Sequence, residues 1–445
     1  MLSTRVAGVR PFRSAQHFHS RLAEQPRHTC GCMTMSTLFR QVEHTITGSH
    51  TREYLGATAN GDDHVPKLAI KQYIPLSNPR PQPGDVTIIG AHANGFPKEL
   101  YEPLWDDVYD RLLRKNIRIR SVWIADIWNQ GQSGVLNEKM LGNDPSWFDH
   151  ARDLMNLINS KQDDIRHPIV GIGHSMGGTQ LCLLSLMHPR LLDSLVLIDP
   201  VIQVQNGGVK PAMLSTRRRD AWPSTQEAAS KFKGTKFYQA WDPRVLDRWV
   251  EYGLRRGPTE LYPDADGEQA TLTTTKHQEL FTFLRPTYRS ESADAIVDRD
   301  PLMGREFPGY PFYRPEPVHA FQRLPELRPS TLYIFGNKSE MSQPDRRQEK
   351  MARTGTGVGG SGGARAGRVR QAVLDCGHLV AMEKVAESAD AIADFLEQDL
   401  ARQAGERRQF ERRWKEKTRR EQFTVDERWA KEVRPSSLDG RDTKL

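Results

Sequence analysis

Short apolar runs recur along the chain, each bounded by polar residues, Gly or Pro, which is typical of buried β-strands. Between most of these runs lie segments whose apolar residues have helical spacing. This alternation of strand and helix predicts an α/β fold with a mostly parallel, doubly wound sheet and an antiparallel start. The predicted strands are Leu38–Thr45, Leu68–Tyr73, Val86–Ile89, Arg118–Ala125, Ile169–Ile172, Ser194–Ile198, Thr331–Phe335 and Arg368–Leu374.

The spacing of these runs divides the chain into five parts. Residues 1–36 form a leader without apolar periodicity, and residues 37–200 carry the first six predicted strands. Residues 201–328 show helix patterns and no convincing strand series, residues 329–400 return to the sheet, and residues 401–445 form a charged tail. Because the helical part is inserted after the sixth strand, we predict that it forms a cap over a site at the edge of the sheet.

Three helices are predicted within this insertion. Ser224 and Glu227 form a capping box that begins the first helix, and Asp242-Pro243 supply the N-cap and first residue of the second. A third helix pattern begins at Lys276. The insertion is also rich in aromatic residues, which either line an apolar acyl or aromatic pocket or hold the cap together: Trp222, Phe232, Phe237, Tyr238, Trp241, Trp249, Phe281 and Phe283.

Ser175 is the strongest candidate for covalent chemistry, because it is the centre of the G-x-S-x-G pentapeptide Gly173-His174-Ser175-Met176-Gly177. A predicted strand ends just before the pentapeptide, and an apolar helix pattern follows it. A sharp strand-to-helix turn lifts the serine oxygen above the sheet. This context predicts that Ser175 is a nucleophile.

A serine nucleophile needs a base and two backbone donors for an oxyanion. His378 follows the last predicted strand and precedes a helix pattern, so it is the predicted base. Met176, directly after the nucleophile, is expected to supply one oxyanion N–H. The second is expected from Asn94, in the loop after the third predicted strand, although Ala93 in place of the usual glycine leaves this donor open. His92 is expected to brace the same loop.

Four stretches of the sequence together resemble the α/β-hydrolase superfamily. They are residues 91–96, Gly173–Gly178, Leu197–Pro200 and the glycine-rich loop at 354–363. They are most similar to a fungal group that includes AK-toxin-pathway hydrolases, the acyl-CoA hydrolase of mycophenolic acid biosynthesis and a yeast peroxisomal lipase. The resemblance implies an α/β-hydrolase fold and a serine esterase or thioesterase, with Ser175, Asp199 and His378 as its triad.

The residues themselves leave two candidates for the acid of this triad. In most α/β-hydrolases the acid follows the first strand after the cap, but here Ser339 stands in that place, and a serine cannot stabilise a protonated histidine by charge. Its neighbour Glu340 is one candidate. The other candidate is Asp199, directly after the sixth predicted strand. We assign Asp199, which gives the chain order Ser, Asp, His that this fold produces.

Composition narrows the function classes. The 445 residues, 37% hydrophobic and 27% charged, are typical of a globular protein with a sizeable core. No apolar run approaches the ~18 residues of a membrane-spanning helix. Four cysteines are too few for a disulfide framework and indicate a reducing compartment, and neither a metal nor a cofactor is predicted. The net charge of +7 is concentrated at residues 401–420, with nine Lys and Arg against three Glu, so nucleic-acid binding is not expected.

The two ends of the sequence resemble different targeting signals. Thr443-Lys444-Leu445 resembles the peroxisomal Ser-Lys-Leu signal, which predicts the peroxisome as the compartment and its import receptor as a partner. Residues 1–23 contain four arginines and no acidic residue, which is typical of a mitochondrial transit peptide. Alternatively, Met33 or Met35 is the start of the protein, and a cytoplasmic location is the third option.

These features together predict a serine hydrolase that cleaves an ester or thioester of a lipid or secondary metabolite, including an acyl-CoA, through an acyl-enzyme. Arg217-Arg218-Arg219 and Lys210 either bind the phosphates of coenzyme A or form a solvated helix face. Two alternatives stay open: a catalytically silent α/β-hydrolase-fold binding protein, and an acyltransferase that uses the same triad.

Overall fold

The computed structural model describes residues 38–204, 207–286 and 311–433. The predicted leader at 1–36 and the tripeptide Thr443-Lys444-Leu445 lie outside the described residues. Both targeting signals therefore stay predictions of the sequence. Within the described ranges, no helix is long and apolar enough to cross a membrane.

A single large sheet of eight strands organises the described chain. Its strand order is β1-β2-β4-β3-β5-β6-β7-β8, in which β2 runs antiparallel to β1 and β4 and the other neighbours are parallel. Every strand of this sheet was predicted from an apolar run, and the α/β fold class is confirmed. The strands are β1 Phe39–Thr47, β2 Lys67–Pro75, β3 Val86–Ala91, β4 Ile119–Ala125, β5 Ile169–His174, β6 Ser194–Ile198, β7 Ser330–Gly336 and β8 Val369–Leu374.

Helices cover both faces of this sheet, as the alternation of strand and helix predicts. Because successive side chains of a strand point to opposite faces, Ile172 packs on the side of the helices at Glu102–Arg114 and Val385–Glu416, and Ile169 on the side of those at Trp147–Ser160 and Met176–Met187. Burial on both faces explains why these strands are continuously apolar. The helices outside residues 207–286 are α1 Glu102–Arg114, α2 Gly131–Leu136, α3 Trp147–Ser160, α4 Met176–Met187, α10 Pro315–Arg323, α11 Pro344–Arg353, α12 Val380–Glu383, α13 Val385–Glu416 and α14 Glu427–Glu432.

Residues 207–286 of the insertion contain five α-helices. The predicted caps are present: the Ser224 hydroxyl accepts the N–H of Glu227 at 3.1 Å, and the Asp242 carboxylate accepts the N–H of Arg244 at 2.9 Å. These bonds satisfy N–H groups that the first helical turn leaves without a partner. The helices are α5 Val209–Thr216, α6 Thr225–Lys233, α7 Lys236–Gln239, α8 Pro243–Tyr252 and α9 Lys276–Phe283.

The expectation that the insertion holds no strand series was wrong. Ala221–Trp222, Leu254–Arg256 and Ala270–Leu272 form a three-stranded antiparallel sheet, and Arg285–Pro286 pairs with Phe312–Tyr313. Strands of two or three residues are too short to show a period of two, so the sequence pattern could not reveal them.

The last long helix, α13, extends well into the charged tail predicted from residue 401. Its first half buries Ala389, Ile392 and Leu396 against the sheet, whereas residues 406–416 are exposed. The exposed half is rich in Arg and Glu, which are good helix formers and need no packing partner to favour the helix. The helix therefore continues beyond the point at which its apolar stripe ends.

Candidate active site

Ser175 lies in a strained turn between β5 and α4. Its φ angle is +56°, a left-handed conformation that costs a non-glycine residue about 1–3 kcal/mol, so it persists only where the surroundings enforce it. The Ser175 N–H donates to the Ile198 carbonyl at 2.9 Å, which ties the turn to the end of β6. The turn points the serine away from the strand direction, as the G-x-S-x-G context predicts.

Gly177 brings the start of α4 against the end of β3. A Cβ atom at position 177 would lie 2.2 Å from the Ala91 carbonyl oxygen, so no larger residue fits there. This close approach places the first turn of α4, with the N–H of Met176, beside the loop that contains His92, Ala93 and Asn94. The two predicted oxyanion donors therefore belong to neighbouring segments.

His378 follows β8 and reaches both Ser175 and Asp199. Its Nε2 lies 2.8 Å from Ser175 Oγ, and its Nδ1 lies 2.6 Å from Asp199 Oδ2. These distances fit a serine hydroxyl that donates to Nε2 and an Nδ1–H that donates to the carboxylate. The His378 side chain is 33% exposed while that of Asp199 is fully buried, so the imidazole stands between solvent and the buried acid.

Hydrogen-bond donors surround the Asp199 carboxylate. Besides His378, Oδ2 accepts the hydroxyl of Ser339 at 2.5 Å, and Oδ1 accepts the Gly336 N–H at 3.2 Å and the hydroxyl of Ser342. Burial acts to raise the pKa of Asp199, but hydrogen bonds from His378, Ser339 and Ser342 outweigh it and hold that pKa below its ordinary value. The carboxylate is therefore charged at neutral pH.

The structure separates the two candidate acids. Asp199 is within hydrogen-bond distance of His378, whereas the Glu340 side chain is 60% exposed and forms an ion pair with Lys210. Ser339, which occupies the position where the sequence expected an acid, donates to Asp199 instead. The supporting role of Ser339 and Ser342 was missed from sequence, because a serine in a loop gives no signal of its partner.

The loop after β3 contains Asn94, the residue predicted to supply the second oxyanion N–H. The Ala93 N–H donates to the Tyr101 hydroxyl at 2.8 Å, so it is already paired. Among the described residues, no group accepts the backbone N–H of Asn94 or of Met176. The Asn94 side chain points toward the cap, where its Nδ2 donates to the Glu279 carbonyl at 3.0 Å. This arrangement holds the Asn94 side chain on the cap side and leaves its backbone N–H without an acceptor, as an oxyanion donor requires.

Two buried histidines near the site have structural contacts. His92 Nε2 accepts the Ile127 N–H at 2.9 Å and its Nδ1 lies 2.8 Å from the Ala93 carbonyl, so the ring braces the loop as expected. His174 Nε2 lies 3.1 Å from the His378 carbonyl, and its Nδ1 lies 3.0 Å from the Tyr101 hydroxyl. Burial lowers the pKa of His174 to about 3, so this ring is neutral at the pH of catalysis.

The aromatic residues of the insertion pack mainly against one another. Phe232 and Tyr238 have ring centroids 4.9 Å apart, and Trp241 lies 5.0 Å from Tyr238. Phe96, two residues after Asn94, joins this cluster, with its ring 5.6 Å from that of Trp241. The aromatic cluster therefore forms the interior of the cap and rests on the loop that carries Asn94.

Most of the basic residues considered for coenzyme A have acidic partners. Lys210 pairs with Glu340, Arg218 with Glu279, and Arg219 with Glu227. Arg217 is exposed, and no ion pair to it occurs in the part of the chain that the structure describes. In that same part, no cluster of three or more His, Cys, Asp or Glu side chains is arranged to hold a metal ion.

The comparisons with known proteins agree with this architecture. The chain is 38% identical over 429 residues to the type I acyl-CoA thioesterase mpaH′ of Penicillium brevicompactum, covering 89% of this chain and 96% of that protein. It is 36% identical over 446 residues to the type I acyl-CoA thioesterase mpaH of Penicillium roqueforti, covering 92% of this chain and all of that protein.

A solved structure has the same fold. The peroxisomal α/β-hydrolase Lpx1 of Saccharomyces cerevisiae superimposes with a TM-score of 0.62 at 18% identity, covering 82% of this chain and 90% of that one. The Alpha/beta hydrolase family profile matches residues 88–395. The resemblance inferred from the sequence motifs is thereby confirmed, and the chain belongs to the α/β-hydrolase family.

Proposed function

We propose that this protein is a serine thioesterase that hydrolyses an acyl-CoA through an acyl-enzyme on Ser175. The observation that carries the proposal is the hydrogen-bonded chain from Ser175 Oγ through His378 to the buried Asp199 carboxylate, at 2.8 and 2.6 Å. A nucleophile, a base within hydrogen-bond reach and a group that orients the base are the minimum set for acyl transfer.

Acylation follows from this geometry. His378 Nε2 takes the Ser175 proton as Oγ attacks the thioester carbonyl carbon, and the carbonyl oxygen becomes an alkoxide. The backbone N–H groups of Met176 and Asn94 donate to that alkoxide. Asp199 holds the imidazole in the tautomer that accepts at Nε2, and its charge stabilises the imidazolium that forms. Collapse of the tetrahedral intermediate expels the thiolate of coenzyme A, which leaves with the proton from His378.

Deacylation uses the same groups in the same order. His378 takes a proton from water, the resulting hydroxide attacks the acyl carbon, and Ser175 leaves with the proton that His378 returns. The released products are the carboxylic acid and the free serine. If another nucleophile replaces water in this step, the same site becomes an acyltransferase.

The choice of a thioester rests on the relatives. The Penicillium proteins named acyl-CoA thioesterase share 36–38% identity over nearly their whole length, so the same chemistry is the simplest proposal for this chain. The acyl group does not follow from those names. We therefore propose the reaction class and leave the acyl chain to be identified by assay.

The proposal is tested by labelling and turnover together. The full chain and its Ser175→Ala variant are treated with a fluorophosphonate and digested for peptide mass spectrometry, and both are assayed on acyl-CoA thioesters and p-nitrophenyl esters. We expect a single adduct on Ser175 and thioester turnover that the variant lacks. Turnover of oxygen esters alone would make the protein an esterase, and the absence of an adduct would favour the binding-protein alternative.

A further inference from the structure

The side chain of Gln130 links the loop that carries Asn94 to the cap. Its Oε1 accepts the Gly95 N–H at 2.8 Å, and its Nε2 donates to Asn94 Oδ1 at 2.7 Å and to Thr282 Oγ1 at 3.1 Å. Gln130 is fully buried, and all three partners are buried or nearly so. One amide therefore holds two consecutive loop residues and a residue of α9 at once.

Helix α9 contacts the same loop at two more points. The Glu279 carbonyl accepts the Asn94 Nδ2–H at 3.0 Å, and a Cβ atom at Gly95 would lie 2.9 Å from the Glu279 carboxylate carbon. That carboxylate is itself held by the Ser215 hydroxyl at 2.6 Å and by Arg218, both from the segment that begins with α5. The loop is thus enclosed between Gln130 on the sheet side and α9 on the cap side.

The direction of the Asn94 N–H depends on these contacts. This N–H belongs to the peptide unit between Ala93 and Asn94, and the residue that follows is restrained, because the Asn94 side chain and the Gly95 N–H are both held by hydrogen bonds. If α9 moved away, Asn94 would lose one bond and Gln130 would lose the Thr282 bond. An oxyanion donor stabilises the transition state well only when it is already aimed at the oxygen, because reorganisation would cost part of the gain.

We propose that Gln130 and α9 hold the oxyanion loop in its catalytic conformation, so that seating of the cap and formation of the oxyanion hole are one event. Gln130 and Thr282 are positioning residues, since neither is expected to touch the substrate. The inference rests on the proposed function, because it assigns Asn94 to the oxyanion hole. The coupling also predicts that a substrate whose acyl group displaces α9 has a lower kcat, and not only a lower affinity for the enzyme.

The variants Gln130→Met and Thr282→Val test this coupling. Gln130→Met keeps the length of the side chain but removes its hydrogen bonds, and we expect kcat/KM on the thioester to fall about 10–100-fold, less than loss of a whole oxyanion donor. Thr282→Val leaves the loop bonds of Gln130 in place but removes the hydroxyl that accepts from Gln130 and Asn129 and donates to the Gln278 carbonyl, and about a threefold to tenfold loss is expected. Thr282→Ser keeps the hydroxyl and is expected to restore wild-type activity.

A trifluoromethyl ketone distinguishes positioning from a general structural role. Ser175 Oγ adds to its carbonyl carbon, the serine proton passes to His378, and the carbonyl oxygen becomes an alkoxide in the oxyanion hole. We expect its inhibition constant to rise by the same factor as kcat/KM falls in both variants, and the pH at half-maximal kcat/KM to stay unchanged. The matched control is Asn78→Leu, which removes a buried amide that bonds Asp85 and the Ile119 carbonyl at the start of β3, the opposite end of that strand from the oxyanion loop.

The outcomes separate this inference from the proposed function. Wild-type ketone inhibition in a folded Gln130→Met or Thr282→Val variant would overturn the coupling, as would an equal rise of the inhibition constant in Asn78→Leu. If Gln130→Met does not fold, the Thr282→Val and Thr282→Ser pair decides the question alone. Turnover that survives in Ser175→Ala would instead refute the proposed function.

Discussion

The loops after β6 and β7 lie side by side at the carboxyl edge of the sheet, yet they carry complementary chemistry. The first places Asp199 beside His378, and the second contributes the Ser339 and Ser342 hydroxyls that donate to it. Because parallel strands all end at this edge, an acid on either loop lies near the same imidazole. In the proposed triad, the acid is therefore defined by its contact with His378 Nδ1, and not by the strand that precedes it.

This difference also explains why the second loop is polar. A buried carboxylate without partners would be costly, and its pKa would rise until it became neutral. The donors from the β7 loop offset that cost and keep Asp199 charged. The β7 loop, which contributes no acid of its own, thus supports the carboxylate of Asp199.

The largest expected effect is that of removing the charge from the β6 loop. Asp199→Asn is expected to lower kcat about 10⁴-fold, because an amide at this place no longer stabilises the imidazolium and favours the wrong tautomer. Steady-state assays on the thioester check this. Glu340→Gln, in the neighbouring loop, serves as the matched control and is expected to keep wild-type kcat; the reverse result would reassign the acid.

Moving the acid between the loops sharpens the comparison. Ser339 Oγ lies 2.5 Å from Asp199 Oδ2, so a carboxylate at position 339 reaches the space that the native carboxylate occupies. We expect Asp199→Ser/Ser339→Asp to recover about tenfold or more in kcat relative to Asp199→Ser alone. Equal activity of the two variants would show that the β7 loop cannot orient His378.

Removing the donors of the β7 loop is expected to have a smaller effect. Each of Ser339→Ala and Ser342→Ala deletes a hydrogen bond to a charged group, which contributes about 1.5–3 kcal/mol, but Gly336 and His378 still hold the carboxylate. About a tenfold loss in kcat is expected for either variant. Ser388→Ala is the control, since the buried Ser388 hydroxyl has no hydrogen-bond partner among the described residues. A comparable loss in this control would show that any buried serine matters.

The smallest expected effect is on stability at acidic pH. The pKa of Asp199 is depressed in the folded state below its ordinary value of 3.8, so its contribution to stability is present above that value and is lost as pH falls through the folded pKa. The free energy of unfolding of the wild-type protein is therefore expected to fall more between about pH 6 and about pH 3 than that of Asp199→Asn. Urea denaturation of both proteins at these two pH values checks this. Equal losses of unfolding free energy in the two proteins would contradict the lowered pKa of Asp199.

The sheet and the nucleophile turn could be predicted because their causes are local. Continuous apolar runs such as Ile169–Ile172 are buried on both faces, and Gly177 permits the close contact with Ala91 that a G-x-S-x-G turn requires. The candidate base also followed from its place after a strand. The sequence left both Asp199 and Glu340 as candidates for the acid. Only the packed structure shows that Asp199 is the one in contact with His378.

The features that escaped prediction depend on residues far apart in the sequence. Gln130 meets Thr282 across 152 positions, and Ser339 meets Asp199 across 140, so no periodicity or motif joins them. The short strands of the cap form because neighbouring segments supply hydrogen-bond partners, and not because Leu254–Arg256 or Ala270–Leu272 has a strand pattern. The extension of α13 is different, because its cause is local: the helix-forming residues of the tail favour a helix without a packing partner.

Trapping the acyl-enzyme tests the central claim most directly. The wild-type chain and Ser175→Ala are mixed with an acyl-CoA thioester that the assays identify as a substrate, quenched with acid during the first turnovers, and digested for peptide mass spectrometry. The account predicts an acyl mass on the Ser175 peptide, with thiol release ahead of the free acid, and neither in the variant. An acyl group on another peptide, or undiminished turnover by Ser175→Ala, would contradict it.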